Sequence, residues 1–206
     1  RVAELIEMAG LENHARTLTH NLSGAWRQRL ALACAIVHDP PMLFLDEATA
    51  GVDPVSRREF WDLIYRMAGE GVSVLATTHY MDEAEYCNTI GMMYRGEMIA
   101  LASPDTLRDG LPGTLVQLDA DKPLEAKKIL DAMPGVIDSS VHGAQMHVSL
   151  EALELQDEVT RALSEAGIQV NQMEIIQPSL EDVFLHTVEQ RRADYEHAAH
   201  KNERAV

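Results

Sequence analysis

Apolar and polar positions change period along the chain in an ordered way. Val2, Leu5, Ile6 and Ala9 recur at helical spacing, and Gly10 suits a stop. Leu11–His20 is a polar connection with one helical turn. Ser23 is a good N-cap for a second helix, because Ala25 to His38 runs without Gly or Pro. Leu30, Ala31, Cys34, Ala35 and Val37 give that helix its expected apolar side, and Asp39-Pro40-Pro41 ends it. Met42–Leu45 is a short apolar run that reads as a buried strand closing on Asp46-Glu47. Asp53-Pro54 starts the next helix, with Val55, Phe60, Leu63, Ile64 and Met67 facing the core and Gly69 or Gly71 at its end. Val72–Thr77, rich in β-branched residues, is the next strand. Strand, helix and strand with short joints make a βαβ unit, so the two strands are expected to be parallel and adjacent or nearly so.

Further on, Met81–Cys87 reads as a short acidic helix. Ile90–Tyr94 and Met98–Leu101 flank a tight turn at Arg95-Gly96-Glu97, and a helix at Asp105–Arg108 follows Ser103-Pro104. The run Asp109 to Gly113 (DGLPG) is the best domain boundary. Beyond it the order is strand (Thr114–Leu118), helix (Leu124–Met133), strands (Val136–Val141 and Gln145–Leu150), helix (Leu153–Ala166) and strand (Ile168–Ile176). That order suggests a small α+β ferredoxin-like sandwich. A helix from Pro178-Ser179 through Arg192 is placed to return to the first domain, and the polar tail behind it is expected to fray. The expected organisation is 1–110, 111–192 and a tail, 193–206.

Composition narrows the function classes. The formal net charge of the 206 residues is −16, which argues against direct binding to nucleic acid or anionic lipid. Cys34 and Cys87 are the only cysteines and have no metal-type spacing, as in a reduced, cytoplasmic protein. No apolar run is long enough to cross a bilayer, and no signal peptide is visible. The first residue is Arg1, not an initiator methionine, so the sequence reads as a piece of a longer one.

Candidate chemistry gathers between Asn21 and His79. Ligands of parallel sheets sit beyond the C-terminal strand ends, where both Asp46-Glu47 and His79 fall. Asp46 is placed to hold a magnesium ion through water, and Glu47 to orient and deprotonate a water attacking a terminal phosphate. Ser23 and Gly24 put a hydroxyl and bare backbone N–H groups at a helix start, which attracts phosphate. His79 could hydrogen-bond a terminal phosphate or the attacking water. Each feature also has an ordinary reading: a surface acidic pair, an N-cap, a loop histidine and, for Asp53, a helix cap.

The combination is more specific than its parts. LSGAWRQRLALACAIVHDPPMLFLDEATAGVDP, followed by VLATTH, resembles the second half of an ATP-binding cassette (ABC) transporter ATPase domain, over roughly residues 1–110. The remainder resembles the C-terminal extension of drug- and polysaccharide-type exporter ATPases, with PSLEDVFLH as its most telling phrase. The resemblance implies an α/β, P-loop NTPase-like cassette that binds ATP and Mg2+. It makes Ser23, Gly24 and Ala25 the signature motif acting on ATP held by a second cassette, as a homodimer or in tandem. It makes Asp46 the magnesium residue, Glu47 the general base, His79 the phosphate contact and Asp53 the close of the D-loop. It also implies a transmembrane permease partner, no nucleic acid, and a cytoplasmic location on the inner face of the cell membrane.

The departures are specific. Ala25 stands for the second glycine of LSGGQ and Trp26 for its glutamine; if the Ala25 φ has to be positive, strain of about 1 kcal/mol follows. Ala48 replaces a common proline. No GxxxxGK[ST] occurs, so the phosphate-cradling loop is expected upstream of Arg1, and this piece alone is expected to be inactive. The alternative is a degenerate, non-catalytic cassette acting as an assembly module. Chromosome or repair ATPases rank last, since no long heptad helices are visible.

Overall fold

Capping residues set the main helix starts in the computed structural model, which describes residues 1–203. Helix α1 (Val2–Met8) ends at Gly10, whose φ of +67° is a left-handed stop. The Ser23 hydroxyl accepts from the Trp26 N–H at 3.5 Å and starts α2 (Gly24–Ala35). Strand β1 (Met42–Asp46) leads to Asp53, whose carboxylate accepts from the N–H groups of Val55 and Ser56 at 3.1 and 3.0 Å and caps α3 (Pro54–Gly69). Strand β2 (Ser73–Thr77) then pairs directly with β1, parallel, with Asp46 opposite Thr77. The short helix α4 (Met81–Ala84) follows. The chain divides into two compact units, residues 1–86 and residues 87 onward.

Three core assignments change. On α2 the buried residues are Leu32 and, just past its end, Ile36; Ala31, Cys34 and Val37 are exposed. The consecutive polar residues Arg27, Gln28 and Arg29 fall on three different sides of this helix, so spacing alone does not choose its inward side. On α3 the core is Phe60, Trp61, Leu63, Ile64 and Met67, whereas Val55 is 70% exposed in the first turn. Strand β1 is not buried on both sides. Leu43 is inside, but Met42 and Phe44 are exposed together with Leu75 of β2, because β1 and β2 form a two-stranded sheet with one face uncovered among the described residues.

The second unit opens with the hairpin β3 (Ile90–Tyr94) and β4 (Glu97–Ala102). Its two turn residues, Arg95 and Gly96, both have positive φ, the geometry that matches strand twist. Helix α5 (Pro104–Asp109) precedes β5 (Thr114–Ala120), α6 (Pro123–Leu130), β6 (Val136–His142), β7 (Gln145–Leu150), α7 (Gln156–Glu165) and β8 (Val170–Ile175). The sheet order β6-β7-β5-β8, antiparallel throughout, is the ferredoxin-like arrangement. Val116, Leu118, Met146, Val148 and Leu150 point from its inner face to Ala126 and Leu130 of α6 and to Val159 and Leu163 of α7.

Gly113, before β5, has φ +80°, and a Cβ there would collide with the Leu150 carbonyl oxygen and lie 2.6 Å from Ile137 Cδ1. Gly113→Ala is therefore expected to destabilise the chain by about 2 kcal/mol, combining left-handed strain with overpacking. A denaturant midpoint equal to that of the wild type would contradict this.

Helix α8 (Leu180–Glu203) packs on α5 and β4, and Arg191 pairs with Glu97 at 3.7 Å. It continues past Arg192, where a frayed tail was expected, because the following residues contain neither Gly nor Pro. Its start is anchored by Asp182. Burial pushes this carboxyl up, but hydrogen bonds from the Ser179 hydroxyl, His147 and the Ser179 N–H outweigh it and hold the group below the usual carboxylate range.

Farther along α8, Glu189 is pushed up to about 7, first by partial desolvation, then by a hydrogen bond to Asp138 of β6 and by its charge. Asp131, just past the end of α6, adds to the rise and Lys127 of α6 opposes it, and His186 of α8 lies 3.5 Å from Asp138. A folded pKa above the ordinary 4.5 means that the native state holds this proton more tightly than the unfolded chain. The contribution is favourable at low pH and is lost as pH rises through about 7. Glu189→Gln is accordingly expected to raise the melting temperature relative to the wild type at pH 8 and to narrow that gain towards pH 5. A gain independent of pH would argue against the shared proton.

Candidate functional site

The C-terminal ends of β1 and β2 carry the site, and Thr77 ties them together. Its hydroxyl donates to Asp46 Oδ1 at 2.5 Å and accepts from the Glu47 N–H at 3.2 Å, while its carbonyl accepts from the same N–H at 3.1 Å. One threonine thus orients the first carboxylate and fixes the backbone of the second. Glu47 then turns out of the strand with φ +44°. A left-handed glutamate costs about 1–2 kcal/mol and persists only where its surroundings hold it. The turn brings Glu47 Oε1 to 3.4 Å from His79 Nδ1, with both side chains half-exposed. Residues 32 positions apart in sequence therefore meet because β1 and β2 are parallel neighbours ending at the same level.

Behind this pair lies a network that sequence reasoning missed. Glu83 of α4 is 3% exposed. Its carboxylate accepts from the hydroxyl of Thr49, in the loop after Glu47, and from that of Thr78 at 2.5 Å, next to His79. Arg57 Nε lies 3.3 Å from Glu83 Oε1, an ion pair rather than an aligned hydrogen bond. The Arg57 guanidinium also lies 3.7 Å over the Tyr80 ring. Glu83 thereby joins the two loops that carry Glu47 and His79. The acidic run Asp82-Glu83 reads as a solvated helix start, and only the fold shows Glu83 turned inward.

The structure places Ser23, Gly24 and Ala25 at the exposed start of α2; among the described residues no hydrogen bond or ion pair links them to Asp46, Glu47 or His79. A Cβ added at Gly24 would meet nothing within 4 Å, so the backbone there is open to approach. Ala25 lies inside α2 and is not among the positive-φ residues, so the strain anticipated for it does not arise. Trp26 packs on His14, ring centroids 4.5 Å apart, with the Arg29 guanidinium 5.1 Å from its ring. Asp53 caps α3 and is held below its ordinary pKa chiefly by the Ser56 N–H and then by the Ser56 hydroxyl.

As a donor set for a hard cation, the strand ends offer carboxylate oxygens at Asp46 and Glu47 and the hydroxyl of Thr77, which suits Mg2+. Among the described residues no helix is long and apolar enough to cross a membrane.

Residues 1–50 match the ABC transporter family model, and residues 103–188 match the model of the ATP-binding protein DrrA1-3-like, C-terminal domain. The chain is 51% identical over 108 residues to the probable multidrug ABC transporter ATP-binding protein YbhF of Escherichia coli, covering 52% of this chain and 19% of that protein. It is 32% identical to the linearmycin resistance ATP-binding protein LnrL of Bacillus subtilis, over 90% of this chain and 62% of that protein. To the daunorubicin/doxorubicin resistance ATP-binding protein DrrA of Streptomyces peucetius it is 35% identical, over 90% of this chain and 58% of that protein. The chain thus spans only part of the curated relatives it matches. Among solved structures, cbiO1 from Clostridium perfringens, part of the ABC transporter complex cbiONQ, aligns with a TM-score of 0.49 and 32% identity over 53% of this chain and 44% of that one.

Proposed function

The chain belongs to the ABC transporter ATP-binding family, in the branch with a DrrA-like C-terminal domain, and from that premise we propose that it is part of an exporter subunit that couples ATP hydrolysis to transport. The observation that carries the proposal is the Glu47–His79 contact at the paired strand ends. In this reading Glu47 takes a proton from the water that attacks the terminal phosphate of ATP. His79, beside it, holds that carboxylate and contacts the same phosphate. Asp46, oriented by Thr77, would hold Mg2+ through water, and the ion supplies positive charge against the phosphate oxygens. The intact, interlocked geometry of these groups favours an ATPase over a non-catalytic assembly module.

The exposed start of α2 fits a role towards a second cassette. Ser23 and Gly24 offer a hydroxyl and open backbone to a phosphate held by the partner, with Ala25 in the same first turn, and Asp53 at the start of α3 serves the same dimer face. The cassette part extends through residue 110 and the accessory domain begins at 111, a division supported by the Gly113 turn and by β5 starting at Thr114. A transmembrane permease would receive the motion, with this subunit on the cytoplasmic face. The drug-resistance names of the relatives support small-molecule export as the class of transport. The test uses the complete protein with its membrane partner in vesicles: ATP-dependent efflux and phosphate release are expected together. Efflux without ATP consumption, or no ATP turnover at all, would sink the proposal.

A further inference from the structure

The outer face of the ferredoxin-like sheet carries a group that the ATPase reading does not use. Along β7, Met146 and Val148 point to the core, so His147 between them projects to the opposite face. His142, at the end of β6, lies beside it, with the two imidazoles stacked at 4.0 Å and 20°. The first turn of α8 brings in Asp182. Its Oδ1 lies 2.7 Å from His147 Nδ1 and 3.5 Å from His142 Nε2. The three ligand atoms all fall within 4.8 Å of one another. Asp182 is 5% exposed, and the two histidine side chains are only 20% and 15% exposed.

The geometry points to a binding site for one borderline transition-metal ion, Zn2+ being the best match, held by His142, His147 and Asp182. Two imidazoles and a carboxylate are the donor set of three-ligand zinc sites, and the edges of a tetrahedron with bonds of about 2.0–2.2 Å are close to 3.4 Å. The two carboxylate–imidazole separations, 2.7 and 3.5 Å, bracket that value. The other oxygen of Asp182 accepts from the Ser179 N–H at 2.8 Å and the Ser179 hydroxyl at 2.6 Å. This outer support aims Oδ1 at the histidines, as partners of metal-bound carboxylates do. The Ser140 hydroxyl, 3.0 Å from His142 Nε2, or a water can complete the set. Capture requires the stacked rings to rotate until their lone pairs converge. The ion would clip the start of α8 to the β6–β7 hairpin, a structural role separate from ATP chemistry.

The test is a titration of the metal-stripped full chain with Zn2+ alone, read by calorimetry, and with Co2+, read by its visible absorption. One ion per chain is expected, with a rise in melting temperature and a Co2+ spectrum of low-coordinate form. The double variant His142→Ala/His147→Ala should bind at least a hundredfold more weakly, and Ser179→Ala roughly tenfold more weakly. Absence of stoichiometric uptake, or equal affinity in the double variant, overturns the site. If the double variant loses its circular dichroism, the single variant His142→Gln decides: at least tenfold weaker binding supports the site, and unchanged binding rejects it.

Discussion

Replacing Glu47 by Gln in the complete protein is expected to lower ATP turnover about a hundred- to ten-thousandfold, the usual contribution of a positioned general base. Binding of ATP should survive, because Gln keeps the size and one acceptor oxygen of the side chain and removes only its capacity to take a proton. The backbone outlier supports the assignment independently. A glutamate held at φ +44° by two hydrogen bonds to Thr77 is oriented towards His79 at a conformational cost that a solvated surface acid has no reason to bear. Phosphate release by the variant within threefold of the wild type would rule Glu47 out as the base. Thr77→Val tests the support: it removes both hydroxyl contacts, so turnover should fall by a smaller factor while the fold persists.

Glu83→Ala is expected to destabilise the first unit by about 3–5 kcal/mol, because it removes one side of a buried ion pair together with the shared acceptor of two threonine hydroxyls. Arg57 would keep the Val52 carbonyl at 3.5 Å, the Tyr80 ring and, as its remaining carboxylate, Asp82 at 3.6 Å, which is largely solvated. The hydroxyls of Thr49 and Thr78 would lose their shared acceptor. Glu83→Gln keeps an acceptor for one threonine and should cost less than half as much. Denaturant unfolding followed by tryptophan fluorescence reads the difference, since Trp61 is buried in this unit. A loss under 1 kcal/mol for Glu83→Ala would mean that the network is not the anchor described here. In the complete protein the same variant should also lower turnover, as the loops bearing Glu47 and His79 lose their common tie. In the proposed mechanism Glu83 acts as a positioning residue, and it should affect the pH profile of turnover less than Glu47 does.

Local signals carried much of this protein. Ser23 and Asp53 cap their helices because a short acceptor side chain before an apolar run satisfies the first free N–H groups wherever it occurs. The parallel βαβ unit, the Arg95-Gly96 hairpin and the ferredoxin-like strand order follow from period, turn chemistry and the handedness of connections. That Asp46, Glu47 and His79 fall at neighbouring strand ends was legible because a strand end is a position that a short motif specifies. Direction could not be read in the same way. Which side of α2 is buried, why Val55 is outside and Trp61 inside, and that one face of β1 stays open all depend on what packs opposite. The inward turn of Glu83 towards Arg57, and the meeting of His142 and His147 with Asp182, join residues whose side chains look solvated when taken one at a time. Periodicity reports the spacing of side chains along one element. Burial and charge pairing are set by a second element, and only tertiary structure brings that element into place.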